Sequence, residues 1–100
     1  MIVVSGTFFI DSTRRDEALA VAETMASASR REDGCIAYAF WVDAADASRF
    51  RVFEEWVDAD ALEAHFATEH AQTLMDALAG VGAHSSDVWR YEVTGKSRLV

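Results

Sequence analysis

The spacing of apolar and polar residues predicts four β-strands. Short runs rich in β-branched and aromatic residues cover positions 2–10, 35–42, 49–56 and 85–93, and polar or small residues end each run. The second and third runs are separated only by the loop DAADAS. A loop this short predicts that these two strands form an antiparallel hairpin.

Two further segments carry apolar residues at intervals of three and four, which is typical of amphipathic helices. Thr13 is the expected N-cap of the first helix, and Gly34 is the expected stop. The second helical region begins at Asp58 or Asp60, and Thr68 can cap a fresh helical turn within it. We therefore expect the second region to be bent near Thr68.

The predicted order of elements is β-α-β-β-α-β in one domain spanning residues 1–100. This order indicates an α+β, ferredoxin-like fold, with a four-stranded and mostly antiparallel sheet that carries its helices on one face.

Both faces of the predicted sheet are apolar, although only one is expected to be covered by helices. Simple alternation puts one group of strand residues on one face: Ile2, Val4, Phe8, Ile10, Ile36, Tyr38, Phe40 and Val42. It puts a second group on the other face: Val3, Phe9, Cys35, Ala37, Ala39 and Trp41. Because monomers rarely expose a large apolar surface, we expect the uncovered face to form a two-fold homodimer.

Composition and charge narrow the range of partners. Seventeen acidic residues against nine basic ones give a net charge of -8, which argues against nucleic-acid binding. The pair Arg30 and Arg31 is followed by Glu32 and Asp33, which reads as a solvated helix end. The start MIVVSGTFFI lacks a basic leader region, and no apolar run approaches the ~20 residues of a membrane span. We expect a cytoplasmic protein with no membrane partner.

The single cysteine, Cys35, excludes an intrachain disulfide and is expected to be a small buried residue. His65 and His70 are five residues apart, whereas two ligands on one helix face need a spacing of three or four. A metal site would have to add His84 or a distant carboxylate, so no metal is expected. With a break at Thr68, His65 points towards the sheet and His70 lies in the first turn of the next helix.

Glu54 and Glu55 alternate across the third strand, so one of them faces the covered side of the sheet. The sequence does not say which. A buried carboxylate needs a partner or a raised pKa, and an ion pair with Arg49, Arg51 or Arg90 is the simplest expectation. Aromatic side chains could line a cavity or belong to the core: Tyr38, Trp41, Trp56, Trp89 and Tyr91.

Three segments, EDGCIAYAFWVD, RFRVFEEWVDADALEAHFATEHAQTL and VWRYEV, together resemble the antibiotic biosynthesis monooxygenase family of dimeric α/β barrels, which includes quinol monooxygenases. The resemblance rests on these positions: Gly34, Cys35, Tyr38, Glu55, Trp56, Asp58, Ala61, Leu62, His65, Thr68 and His70.

The resemblance implies a pocket between sheet and helices in which a hydroquinone, phenolic or polyketide-type aromatic is oxygenated by dioxygen without a metal, flavin or other cofactor. His65 is then the candidate base, Trp56 and Tyr38 the candidate pocket wall, and His70 a further substrate-binding candidate. The family's haem-degrading branch uses an asparagine on the first strand and a histidine, as iron ligand, late in the second helical region. Here the corresponding stretch SGTF carries no asparagine and QTLMDAL no histidine, so haem degradation is not indicated. Two alternatives stay open: a non-catalytic dimeric module that binds an aromatic metabolite, and an isomerase or other enzyme with the same barrel.

Overall fold

The computed structural model describes residues 1–100 and confirms the ferredoxin-like order of elements. The strands are β1 (Ile2–Phe9), β2 (Cys35–Val42), β3 (Arg49–Trp56) and β4 (His84–Glu92). The helices are α1 (Arg15–Arg30), α2 (Ala59–Phe66) and α3 (Glu69–Gly80), and a short 3-10 turn spans Ser12–Arg14. No helix is long and apolar enough to cross a membrane.

The four strands form one sheet in the order β2-β3-β1-β4, and every neighbouring pair is antiparallel. The two edge strands, β2 and β4, do not pair with each other, so the sheet of a single chain is open rather than closed into a barrel. Strand β1 lies in the middle because β3 and β4 pair with its two edges.

The helix ends follow the predicted capping residues with one exception. Asp58 caps α2 by accepting the backbone N–H of Ala61 at 2.8 Å, and Thr68 caps α3. Gly34 has the predicted positive φ, +82°. The assignment of Thr13 as the first cap is wrong: Asp11 caps the 3-10 turn, and Thr13 donates to it through both its backbone N–H and its hydroxyl.

A β-bulge in β2 changes the predicted faces of two residues. Cys35 pairs with Trp56 while Ala37 pairs with Glu55, so Ile36 is an extra residue in the strand. Simple alternation put Ile36 on the same face as Tyr38, but Ile36 is exposed, whereas Cys35 packs against the core. The bulge restores the alternation from Ala37 onwards, which turns Tyr38 inwards.

The helices cover one face of the sheet, and the core beneath them has two ends. The apolar end contains only aliphatic and aromatic side chains: Phe8, Ile10, Ala18, Phe50 and Val81. The polar end has its own cluster of apolar side chains: Ile2, Val4, Met25, Ala26, Tyr38, Trp56, Leu62, Ala71 and Leu74. In addition, the buried polar residues Glu54 and His65 lie at the polar end.

The other face of the sheet carries no helix. Trp41 is 54% exposed, Trp89 62% and Tyr91 50%. Pairing with outward-facing residues of β1 and β3 places all three on this uncovered face. They are therefore neither core nor lining of a cavity under the helices, in contrast to Tyr38, which is buried on the covered face.

Candidate functional site

A cavity of about 430 Å³ lies between the covered face of the sheet and the second helical region. Its wall is mainly apolar and comes from all four strands and all three helices. The lining residues are Val4, Phe8, Met25, Tyr38, Phe40, Val52, Glu54, His65, Phe66, Ala71, Leu74, Met75, Leu78, Ala79, Ala83, Ser86 and Val88. Cavities of this size and composition, with a few polar groups, are typical of small-molecule sites.

Glu54 is the carboxylate that faces the cavity. It lies in one cross-strand row with Tyr38 of β2 and Val4 of β1, and its exposure is 6%. Burial raises the pKa of Glu54 to about 7; the nearby charge of Glu32 acts in the same direction, and the hydrogen bond from Trp56 opposes it. The buried side chain is therefore poised to gain or lose a proton near neutral pH.

The expected ion pair between Glu54 and an arginine is absent. The Trp56 indole N–H donates to Glu54 Oε1 at 3.1 Å, and the nearest basic group in the site is His65, whose Nε2 lies 3.9 Å from the same oxygen. Glu55 points to the other face, where Lys96 Nζ lies 2.8 Å from its Oε2.

His65 comes from the last turn of α2 and is almost completely buried, with 3% exposure. Its Nδ1 lies 2.6 Å from Glu32 Oε2. Its ring packs against Trp56 at 4.8 Å and Tyr38 at 5.4 Å between centroids. One edge of the imidazole therefore faces a carboxylate outside the cavity, and the other edge faces Glu54 inside it.

His70 reaches the same carboxylate from the start of α3. Its Nε2 lies 2.7 Å from Glu32 Oε2. Thr68 makes this approach possible because it ends one helix and begins the next: its hydroxyl donates to the carbonyl of His65 and accepts the N–H of Ala71. The five-residue spacing counts against a shared ligand only within one continuous helix; across the predicted break at Thr68 both imidazoles reach one carboxylate oxygen.

Glu32 is the functional candidate that sequence reasoning missed. It follows α1 directly, and the run of charges around it reads as a solvated helix end. In the structure its side chain is only 14% exposed and binds both histidines. No local pattern identifies it, because the contacts join residues 33 and 38 positions apart.

The remaining predicted residues take different positions. Tyr38 lines the cavity, and burial, with the charge of Glu54 adding to it, raises the pKa of its phenol, so the hydroxyl stays neutral. Trp56 is fully buried behind Glu54 and His65 and does not line the cavity. His70 lines a separate groove of about 580 Å³ between α1 and α3.

Two other reactive side chains lie outside the cavity wall. His84 stacks on Phe9 and contacts the Ser85 hydroxyl, far along the sheet from the other histidines. Cys35 is half-buried, and burial, with the charges of Glu32 and Glu54 adding to it, raises the pKa of its thiol to about 11. A thiol with that pKa is a poor nucleophile at neutral pH, in agreement with a packing role.

Comparison with solved structures places the fold among known proteins. A crystal structure described as an antibiotic biosynthesis monooxygenase is 29% identical, covers 95% of this chain and 100% of its own, and superposes with a TM-score of 0.86. A Deinococcus radiodurans protein provisionally assigned the same name is 23% identical, with coverage of 100% and 99% and a TM-score of 0.92. At that identity it supports the fold alone.

Two further relatives have no settled function. A Bacteroides thetaiotaomicron protein, of unknown function but suggested to be an oxidoreductase, is 25% identical with coverage of 92% and 96% and a TM-score of 0.85. An uncharacterized Synechocystis protein is 29% identical over 98 residues, which are 98% of this chain and 67% of that protein. The sequence model of antibiotic biosynthesis monooxygenases matches residues 1–77. With this match across most of the chain and the shared architecture, the protein belongs to the antibiotic biosynthesis monooxygenase family.

Proposed function

We propose that the protein is a cofactor-independent monooxygenase that oxidises a hydroquinone or a phenolic, polyketide-type aromatic with dioxygen. The observation that carries the proposal is the buried imidazole of His65, which is held on one edge by Glu32 and turns its other edge to Glu54 in an apolar cavity. Family membership supports monooxygenase chemistry, and the cavity is large enough for a substituted aromatic ring.

Proton removal is the step for which the site is suited. The Glu32 carboxylate accepts a hydrogen bond from Nδ1 of His65, and this favours the tautomer whose Nε2 carries a lone pair. That lone pair can accept the phenolic proton of a substrate in the cavity. The imidazolium that forms is stabilised by the negative charge of Glu32.

The substrate anion then supplies the electrons for oxygen. In the overall reaction a hydroquinone and dioxygen give a hydroxyquinone and water: one oxygen atom enters the ring, and the other leaves as water with two substrate hydrogens. The substrate loses four electrons, so the balance needs no other reductant. The apolar wall excludes water while the reactive anion is present.

The other candidates have supporting roles in this proposal. The neutral hydroxyl of Tyr38 can hydrogen-bond to the substrate oxygen. Trp56 fixes Glu54 by its N–H and supports the ring of His65 from behind. His70 acts indirectly, because it contacts the same Glu32 carboxylate that orients His65.

Oxygen uptake by the purified protein tests the proposal. A panel of hydroquinones and phenols is supplied in an oxygen electrode, with a chelator and without any added cofactor. We expect turnover that falls at least about 100-fold in His65→Ala, the usual size of a general-base contribution. His84→Ala is the matched control, since the His84 ring stacks on Phe9 and does not line the cavity, and should retain full activity.

The same assay separates the enzyme from a binding module. Ligand binding measured by calorimetry, together with no oxygen uptake across the panel, would contradict the proposal and favour a non-catalytic protein that binds an aromatic metabolite. If His65→Ala loses ligand binding as well as turnover, the result would show that His65 is needed for binding and would not support a role in proton removal.

We also propose that two copies associate through the uncovered face of the sheet. The exposed aromatic side chains Trp41, Trp89 and Tyr91 support this, because an open apolar sheet face exceeds what monomers usually tolerate. Light scattering at micromolar concentration should give twice the mass of one chain. Trp89→Glu should shift the protein to monomer and Leu99→Glu, at an exposed terminal position, should not. A monomeric parent protein would refute the association.

A further inference from the structure

We propose that Glu32, His65 and His70 form a binding site for one divalent transition-metal ion of the zinc class. One donor atom from each residue lies within 4.8 Å of the other two. The three come from two separate segments: Glu32 follows α1, while the histidines lie on either side of the break between α2 and α3.

The two imidazoles aim at one point. Nδ1 of His65 and Nε2 of His70 approach the same oxygen of Glu32, at 2.6 and 2.7 Å. The two nitrogens lie within 4.8 Å of each other, and an ion bound to both at the usual Zn–N distance of about 2.0–2.1 Å would draw the imidazoles closer together while the carboxylate retreats to become the third ligand. Glu32 lies in the turn between α1 and β2, outside the regular elements, and its side chain is 14% exposed.

The charge of the site favours a cation. Two largely buried carboxylates, Glu32 and Glu54, lie on opposite edges of His65, and neither has an ion pair with a lysine or arginine. Arg31, next to Glu32 in sequence, forms no ion pair, and Arg30 instead pairs with Glu23 and donates to the Tyr38 carbonyl. A dication would offset the negative charge of Glu32, and that of Glu54 whenever this group ionises, and a buried charge without a cation otherwise costs stability.

Surrounding groups match what metal sites need. A histidine ligand commonly donates its free ring N–H to a carboxylate, which fixes the ring and strengthens it as a ligand. Here Nε2 of His65 lies 3.9 Å from Glu54 Oε1, about 1 Å beyond hydrogen-bond distance, and the Trp56 indole N–H donates to the same oxygen. Two imidazoles and one carboxylate suit zinc or another late first-row divalent ion rather than calcium or magnesium.

An entry path is present. His70 is 30% exposed and lines the groove between α1 and α3, whereas His65 is closed off at 3%. An ion can therefore arrive from the groove without passing through the aromatic cavity. Three protein ligands leave a fourth tetrahedral position, which can take water or a small anion.

Metal binding and proton removal are mutually exclusive states of His65. An ion on Nδ1 leaves the ring proton on Nε2, and a protonated Nε2 cannot accept a proton from a phenol. Occupancy of the site should therefore switch off the oxygenation proposed above. The metal site itself does not depend on that activity, since binding is measured without substrate.

Cobalt titration tests the site directly. Tag-free, chelator-treated protein is titrated with Co²⁺, whose visible absorption reports nitrogen and oxygen ligation, and Zn²⁺ is then added to displace it. We expect one ion per chain. His70→Ala and Glu32→Gln should each weaken Co²⁺ binding at least 10-fold, the range seen for changes at metal sites. His84→Ala removes the third histidine of the chain and should bind like the parent protein.

Folding is checked in parallel, because loss of structure would mimic loss of a ligand. Zn²⁺ should raise the thermal unfolding midpoint of the parent and His84→Ala proteins, and at the same concentration should raise that of Glu32→Gln, whose side chain keeps its shape, by less. The absence of Co²⁺ binding at micromolar protein, or equal binding by the parent protein and folded His70→Ala, would overturn the site. If Zn²⁺ binds yet oxygen uptake continues unchanged, metal binding and proton removal by His65 do not exclude each other.

Discussion

The two ends of the core under the helices are built from the same sheet but differ in chemistry. At the apolar end, Phe8, Phe50 and Val81 pack with other hydrocarbon side chains and enclose no polar group. At the polar end, the same two strands, β1 and β3, bring Glu54 beside His65 and Trp56. A shift of only four positions along β3 therefore separates a purely hydrophobic row from one that carries a buried carboxylate.

The difference shows that a small domain can place residues that only stabilise the fold at one end of its core and candidate functional residues at the other. Burial of apolar surface stabilises the fold at both ends, whereas a buried carboxylate without a cationic partner lowers stability when it ionises. Titratable side chains held against such a cost are candidates for function, because packing alone does not require them. The comparison predicts that the two ends respond differently to substitution and to pH.

The largest effect is expected from Phe50→Ala at the apolar end. Phe50 is fully buried, so its truncation should lower the free energy of unfolding by about 3–5 kcal/mol. Glu54→Gln at the polar end should change it far less at neutral pH, because an amide fills the same place without a charge. Urea unfolding of both variants measures the two changes in the free energy of unfolding. Equal losses would contradict the expected difference between the two ends.

A smaller effect is expected from pH, and only at the polar end. Between pH 4.5 and about 7 the folded chain keeps a proton on Glu54 that the unfolded chain has lost, so stability falls as the pH rises. The difference between a pKa of 4.5 and one of about 7 corresponds to roughly 3 kcal/mol. This contribution is fully present below pH 4.5 and is lost as the pH passes the folded value.

The pH effect is measured as the difference between the parent protein and Glu54→Gln in urea unfolding, with a chelator present. Taking the difference removes the contributions of groups that do not interact with Glu54, whereas interactions with Glu32 and His65, which face Glu54, remain part of the measured difference. Phe50→Ala should keep the parent's pH dependence. A difference that does not vary with pH would show that Glu54 is not a neutral buried acid.

Thr68→Ala tests the geometry of the polar end, because it removes a helix cap there without changing any charge. Loss of an N-cap of this kind costs about 1 kcal/mol. Because Thr68 also bonds to the His65 carbonyl, the two histidines should move relative to Glu32, and Co²⁺ binding should weaken with the stability. Thr68→Ser keeps the hydroxyl and should restore both properties; a serine variant as impaired as alanine would contradict the role of the cap.

The smallest effect sets a baseline outside both ends. Lys96 pairs with Glu55 on the uncovered face, and its side chain is 62% exposed. Although Glu55 is 13% exposed, its lysine partner is largely in solvent, so the pair should contribute about 0–1 kcal/mol and Lys96→Ala should leave unfolding and oxygen uptake close to those of the parent protein. A loss comparable to that of Phe50→Ala would mean that stability is not concentrated under the helices.

Local patterns were sufficient to predict most of the fold. The bounds of β2 and β3 agree residue for residue with the predicted runs, and the caps Asp58 and Thr68 are in place. These features depend on neighbouring residues: strand propensity, turn length and a side chain that satisfies backbone N–H groups three positions on. The bulge at Ile36 escaped prediction because it depends on how β2 pairs with β3.

The candidate site was predictable only in part. His65 and Tyr38 face the cavity as expected, and the pattern of β3 limited the buried carboxylate to Glu54 or Glu55. The charged sequence neighbours of Glu32 predict a solvated residue. Its role arises from packing of the turn after α1 against the break between α2 and α3, a contact that no short window of sequence contains.

The interruption at Thr68 has a consequence for recognising and designing sites. In a continuous helix the angle between two side chains is fixed by their separation in sequence, so searches for paired ligands use intervals of three or four. A capped interruption changes the angle between the two helical segments. Here it lets two histidines that are five residues apart reach the same carboxylate oxygen. Pattern searches that allow a Ser, Thr, Asp or Asn between two distant histidines would find such pairs, and a designer could tune their separation by changing the cap alone.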